Sequence, residues 1–172
     1  MDCDGMIELA RRFAERLFAE YPEWEPYAKV VWSDWLEAKT LEVRVPQEGS
    51  DRVLQVDIHD EDEITIAFDL WHTHVEWLKW REGFDAEEIA MDALRVIRSF
   101  VSEEMVVKVV RKNGAFDMST IDYVAAFGDR ARRAFTSLGT LQSVPALREG
   151  VPRETITILS WRHTYDKVIE QN

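Results

Sequence analysis

The chain has 172 residues, 46% hydrophobic and 31% charged, which is enough apolar material to bury a core and too much for a mainly disordered segment. No apolar run approaches the roughly 20 residues of a membrane span, and the single cysteine, Cys3, has no internal disulfide partner, which points to a cytoplasmic setting. Thirty-three acids against 21 bases give a net charge of −12, a balance that disfavours nucleic acid because binding phosphates needs clustered Lys and Arg.

The start, MDCDGMIELARRF, carries acids where a secretion signal carries a basic cluster. Helical spacing of Met6, Leu9, Ala10, Phe13, Leu17 and Phe18 predicts a helix over residues 5–20, with Asp4 as N-cap and Pro22 stopping it near Tyr21. Residues 23–38 fit two periods: Val30, Val31 and Trp32 read as strand, while Trp32, Trp35 and Leu36 also share a helical face. Leu41, Val43 and Val45 alternate with Glu42 and Arg44 and predict a strand closed by Pro46. A turn at Gly49-Ser50-Asp51 precedes a second strand from Val53 to Ile58, and His59 to Asp62 is an acidic turn of hairpin length. A third strand begins near Glu63 and extends as far as Trp77 if uninterrupted. Short turns between three successive strands predict an antiparallel meander.

Asp85 is placed to cap a second helix over 85–102, with Glu87 and Glu88 in its first turn and Ile89, Ala93, Val96, Ile97 and Phe100 as its stripe. Met105 to Val110 reads as a buried strand, and Asn113-Gly114 is a hairpin signal. Ala115 to Ala126 reads as the returning strand, with a short helix from Ser119-Thr120 as the alternative. Residues 128–153 carry no clear period. Thr155 to Trp161 reads as a last strand. The fold class expected is α+β: one domain, residues 1–172, in which a mainly antiparallel sheet packs against two principal helices.

Charge is unevenly spread. Residues 1–92 hold 24 acids and 9 bases, whereas residues 93–172 hold 9 acids and 12 bases, and six of the seven tryptophans lie in the acidic part. A solvated surface over a tryptophan-filled core accounts for this pattern. So does an acidic face with aromatic anchors for a basic partner protein. The residues placed to contribute are Asp60, Glu61 and Asp62 in the turn, with Trp77, Trp80 and Glu82 beyond the third strand.

Catalytic signatures are mostly lacking: there is no phosphate-binding glycine loop and no Gly-x-Ser-x-Gly elbow. The densest cluster is EITIAFDLWHTHVEW, residues 63–77. In an unbroken strand, Ile64, Ile66, Phe68, Leu70, His72, His74 and Glu76 share one face. His72 and His74 then lie side by side, with Glu76 as a third candidate ligand and Asp57 or His59 available from a neighbouring strand. The plainer reading is that both histidines cap the core face of the sheet. A second cluster, SWRHTYD at 160–166, puts Arg162 and His163 after the last strand, where they could line the same sheet end as His72 and His74 and bind an anion or shuttle a proton. The plainer reading, and the favoured one, is a structural strand terminus whose Trp161 and Tyr165 pack on the sheet. Two histidines guarantee no metal, so neither metal nor cofactor is expected.

EITIAFDLWHTHVEW and ITILSWRHTYD resemble segments of small uncharacterised bacterial α+β proteins, some of which are similar to immunity proteins of polymorphic toxin systems. The resemblance implies a bacterial, cytoplasmic, non-catalytic protein that neutralises a toxin by binding it, and carries no site residues across. A non-catalytic acidic binding protein is therefore the expected function. A small enzyme or ligand-binding domain built on His72, His74, Glu76, Arg162 and His163 is the rival. The sequence leaves the oligomeric state open.

Overall fold

The computed structural model describes residues 4–76, 85–124 and 154–171. They form an α+β fold whose strands pair antiparallel, as the alternation predicts, and are shared between a five-stranded and a four-stranded sheet. The chain divides into two compact units, residues 1–98 and 99–172. The divide falls inside a helix that belongs partly to each.

In the first unit, helix α1 (Glu8–Glu20) buries Leu9, Ala10, Phe13, Ala14 and Leu17 and lies against β2 (Ala38–Pro46). Leu9, Ala10, Phe13 and Leu17 belong to the predicted stripe, Ala14 joins them, and Met6 and Phe18 are only half-buried. Asp4 does not cap the helix; the N-cap is Ile7, which makes no side-chain hydrogen bond. Asp4 and Gly5 form a turn instead, with Gly5 at φ 77, a value only glycine adopts freely. That turn sends the next residues along β2, where the Ile7 N–H donates to the Lys39 carbonyl (3.0 Å) and the Lys39 N–H to that of Gly5 (3.3 Å).

Pro22 cannot extend α1, and the chain passes into a 3-10 helix, Pro22–Tyr27. Tyr21 stacks on Trp24, ring centroids 4.4 Å apart. Burial, then the neighbouring Glu20 carboxylate, pushes the Tyr21 phenol up to about 12. In a spectrophotometric alkaline titration one of the four tyrosines is therefore expected to ionise last, and Tyr21→Phe to remove that late step. A Tyr21→Phe titration curve that keeps the late step would contradict the burial argument.

Strand periodicity prevails in the ambiguous segment. Strands β1 (Ala28–Ser33), β2, β3 (Val53–Asp57), β4 (Glu63–Phe68) and β5 (Trp71–Glu76) lie in that order in a meander. The register aligns Val43 with Val56 and Ile66, and Val45 with Leu54, Phe68 and Trp71. All seven are buried. On the other face, Glu42, Asp57, Thr65 and His74 form one row, and Arg44, Gln55, Ala67 and His72 the next.

The third strand does not run on to Trp77. A two-residue turn, Asp69-Leu70 with Asp69 at φ 54, splits it, and Phe68 pairs with Trp71 across the turn. Paired residues share a face, so Trp71, Thr73 and Val75 join the Ile64–Ile66–Phe68 side. The histidines are displaced to the opposite, exposed face.

Helix α2 (Ala86–Val101) buries Ala86, Ile89, Ala90, Ala93, Leu94, Ile97 and Phe100, whereas Val96 of the expected stripe is half-buried. Asp85 caps it as expected, its Oδ1 accepting from the Glu87 N–H (2.9 Å) and the Glu88 N–H (3.3 Å). Arg98 donates to Glu20 through Nε and Nη2 at 2.6–2.8 Å, and Arg16 to Glu87, so two ion pairs tie α2 to α1. No described helix is long and apolar enough to cross a membrane.

The second unit contains β6 (Met105–Lys112), β7 (Ala115–Tyr123), β8 (Glu154–Leu159) and β9 (Lys167–Gln171), in the order β7-β6-β8-β9. Asn113 and Gly114 both have positive φ (51 and 81) and turn β6 into β7, as the hairpin signal predicts. Ser119 and Thr120 are strand, which removes the helical alternative. The segment 128–153 lies outside the described residues.

Candidate partner-binding surface

His72 and His74 project from the outer face of β5, with their rings edge to face and centroids 5.3 Å apart. His74 Nδ1 is 2.7 Å from Glu63 Oε1 and 3.1 Å from Thr65 Oγ1. Both histidines are exposed, which overturns the reading that they cap the core face. Asp57, one strand further along the row, is committed elsewhere. Its buried carboxylate accepts from Arg44 Nη1 and Gln55 Nε2, each at 2.5 Å. Among the described residues, no three His, Cys, Asp or Glu side chains converge where they could hold a metal ion. The Glu76 side chain is outside that description.

Arg162 and His163 do not share a sheet with His72 and His74. They lie between β8 and β9 of the four-stranded sheet, whereas β5 belongs to the other. Their loop is tightly braced. The Asp166 carboxylate accepts from the Ser160 N–H (2.6 Å) and lies 2.9 Å from His163 Nδ1. The Glu103 carboxylate accepts from the main-chain N–H of Arg162 (2.7 Å) and of Thr164 (3.4 Å). Burial alone raises the Glu103 pKa, but hydrogen bonds from Thr164, Arg162 and Ser160 outweigh it and hold the carboxyl below its usual range. Trp161 packs near Phe100, ring centroids 5.9 Å apart.

The tryptophans divide sharply. Trp24 and Trp71 are buried, each 5% exposed, whereas Trp32 is 62% exposed and Trp35 is 83% exposed. Trp77, Trp80 and Glu82 lie outside the described residues. Trp35 stands in the turn 34–37 between β1 and β2, outside the core formed by the described residues. Trp32 pairs across the strands with Lys39, beyond the buried row that ends at Leu41. Neither was singled out from sequence, because the competing helical period put both on a plausible core stripe. A tryptophan in a turn-forming stretch, Ser33-Asp34-Trp35, is the signal that could have found one of them.

In a meander, alternate connections fall at the same end of the sheet. The β1–β2 turn, with Asp34, Trp35 and Glu37, therefore shares an end with the β3–β4 turn, which holds Asp60, Glu61 and Asp62. Asp60 and Glu61 are exposed, as expected of adjacent carboxylates; Asp62 is half-buried. Lys39, at this end, donates from Nζ to the Asp4 carbonyl (2.7 Å). The second unit also exposes apolar side chains, Phe116 and Met118 on β7, but in the basic part of the chain. Comparison with known proteins finds no matching family model, curated protein or solved structure.

Proposed function

We propose that this chain is a non-catalytic acidic binding protein of the bacterial cytoplasm that captures a basic partner protein, as an immunity protein captures the toxin it neutralises. The observation that carries the reading is the exposure of Trp32 and Trp35 at the sheet end that also holds five carboxylates. Charge and ring surface do different work here. Carboxylates in two exposed turns raise the encounter rate with a cation-rich surface but add little net affinity. Two indoles bring on the order of 300 Å² of ring surface, a substantial part of the roughly 800 Å² each partner gives to a standard interface.

The test is binding of purified products of the flanking genes, followed by calorimetry and stopped-flow fluorescence. Trp35→Ala is expected to weaken the complex with a basic product by about 30-fold, a hot-spot loss of about 2 kcal/mol, chiefly by speeding dissociation. Joint replacement of Asp60, Glu61 and Asp62 by Lys is expected to slow association about tenfold at low salt and to leave dissociation nearly unchanged. No binding by any basic product, or binding indifferent to salt and to both variants, would reject the proposal.

A further inference from the structure

Strand β1 is the first in the five-stranded sheet, and among the described residues its outer edge pairs with no strand. The register fixes which groups that edge offers. Lys39 spends its N–H and carbonyl, and Leu41 its carbonyl, on the far flank of β2, with Gly5, Ile7 and Ile58. Their cross-strand partners Trp32 and Val30 are therefore non-hydrogen-bonded pairs with β2, and direct their own N–H and C=O groups away from the sheet. Ala28 has the same parity, but its N–H is already donated to the Glu25 carbonyl. The exposed edge thus presents N–H groups at Val30 and Trp32 and carbonyls at Ala28, Val30 and Trp32, the spacing of an incomplete ladder.

We propose that this edge receives an extended, basic segment of the partner as an added strand, with Trp32 and Trp35 packing against its end. The inference rests on the binding reading above and deepens it by naming the mode of capture. Charge selects the occupant. Exposed Glu23 precedes β1, exposed Asp34 and Glu37 follow it, and Lys29 is the one base within the strand. A segment of about six residues, some 20 Å long, spans the edge and brings its own side chains between these acids. A second copy of this chain fits poorly, since each copy carries −12 and would set the same carboxylates against each other.

Amide hydrogen exchange on the full chain, read by NMR, tests this. The probe is a seven-residue peptide of alternating Lys and Val with blocked ends, at millimolar concentration; polylysine supplies charge without strand propensity. In the free protein the Val30 and Trp32 amides are expected to exchange fast, and those of Lys29 and Val31 slowly. With the peptide, Val30 and Trp32 should slow about tenfold or more. Val30→Pro removes one outward N–H at a position where an edge strand tolerates proline, and should abolish that protection while the β2–β5 amides stay protected. Peptide binding that quenches the tryptophans without slowing Val30 and Trp32 would overturn strand addition and leave the binding reading standing. Failure of both peptide and polylysine to perturb this end would count against both. Slow exchange of Val30 and Trp32 in the free protein would overturn the inference, because the edge would already be occupied.

Discussion

Phe68→Ala is expected to destabilise the first unit by about 3–5 kcal/mol, the range for removing a fully enclosed ring. Phe68 is 0% exposed and sits between Leu54 and Trp71 in the register. Its loss empties the place where the β4–β5 hairpin closes. Equilibrium denaturation would show the change as a lowered midpoint with little change in slope. Trp35→Ala is the matching control: 83% exposed, it should alter stability by no more than about 0.5 kcal/mol. A large stability loss at Trp35 would mean that its ring is structural, and the partner-binding reading would lose its principal anchor.

Glu103→Ala is expected to cost the second unit about 3 kcal/mol, because it withdraws a carboxylate that accepts two main-chain donors, and hydrogen bonds to a charged acceptor contribute about 1.5–3 kcal/mol each. Glu103 also has φ 60, in the left-handed region, so the chain holds an unfavourable backbone position to deliver this carboxylate. Its pKa is lower folded than unfolded, so the unfolded chain binds the proton more readily. The stabilisation is present above the usual value of 4.5 and is lost as pH falls through the lowered folded value. Unfolding measured over an acid series should therefore show a shallower acid limb for Glu103→Gln than for the wild type. Identical limbs would show that the carboxylate is not responsible.

Period-two alternation in β2 and β3 and the 3.6-residue stripes of α1 and α2 were legible because each element buries one face. Burial on one face is what writes a period into a sequence. The Asp69-Leu70 turn was not legible: neither residue is glycine or proline, and the apolar residues continue across it into Trp71. Reading through it reversed the faces of β5 and moved the histidines into the core. Strand β9 was missed because Lys167–Gln171 is short and its Val168 is 61% exposed, so no buried face marks it. Trp32 and Trp35 were visible as residues but not as surface. Composition identifies a tryptophan; only the end of the buried row at Leu41 places it beyond the core of the described residues.

That two-residue turn also governs how this chain tolerates change in length. Side chains alternate strictly along a strand, so one residue inserted between Phe68 and Trp71 with the two-residue turn retained would shift β5 by one position and exchange its two faces. Trp71, Thr73 and Val75 would then face water, and His72 and His74 would lie beside Ile64 and Ile66 on the buried face. The loop at residues 47–52 has no such constraint on every added residue, since slack there can be absorbed before β3 begins. Natural variation in length is accordingly expected to gather between β2 and β3 and to spare the β4–β5 turn, where a one-codon insertion acts on a whole strand.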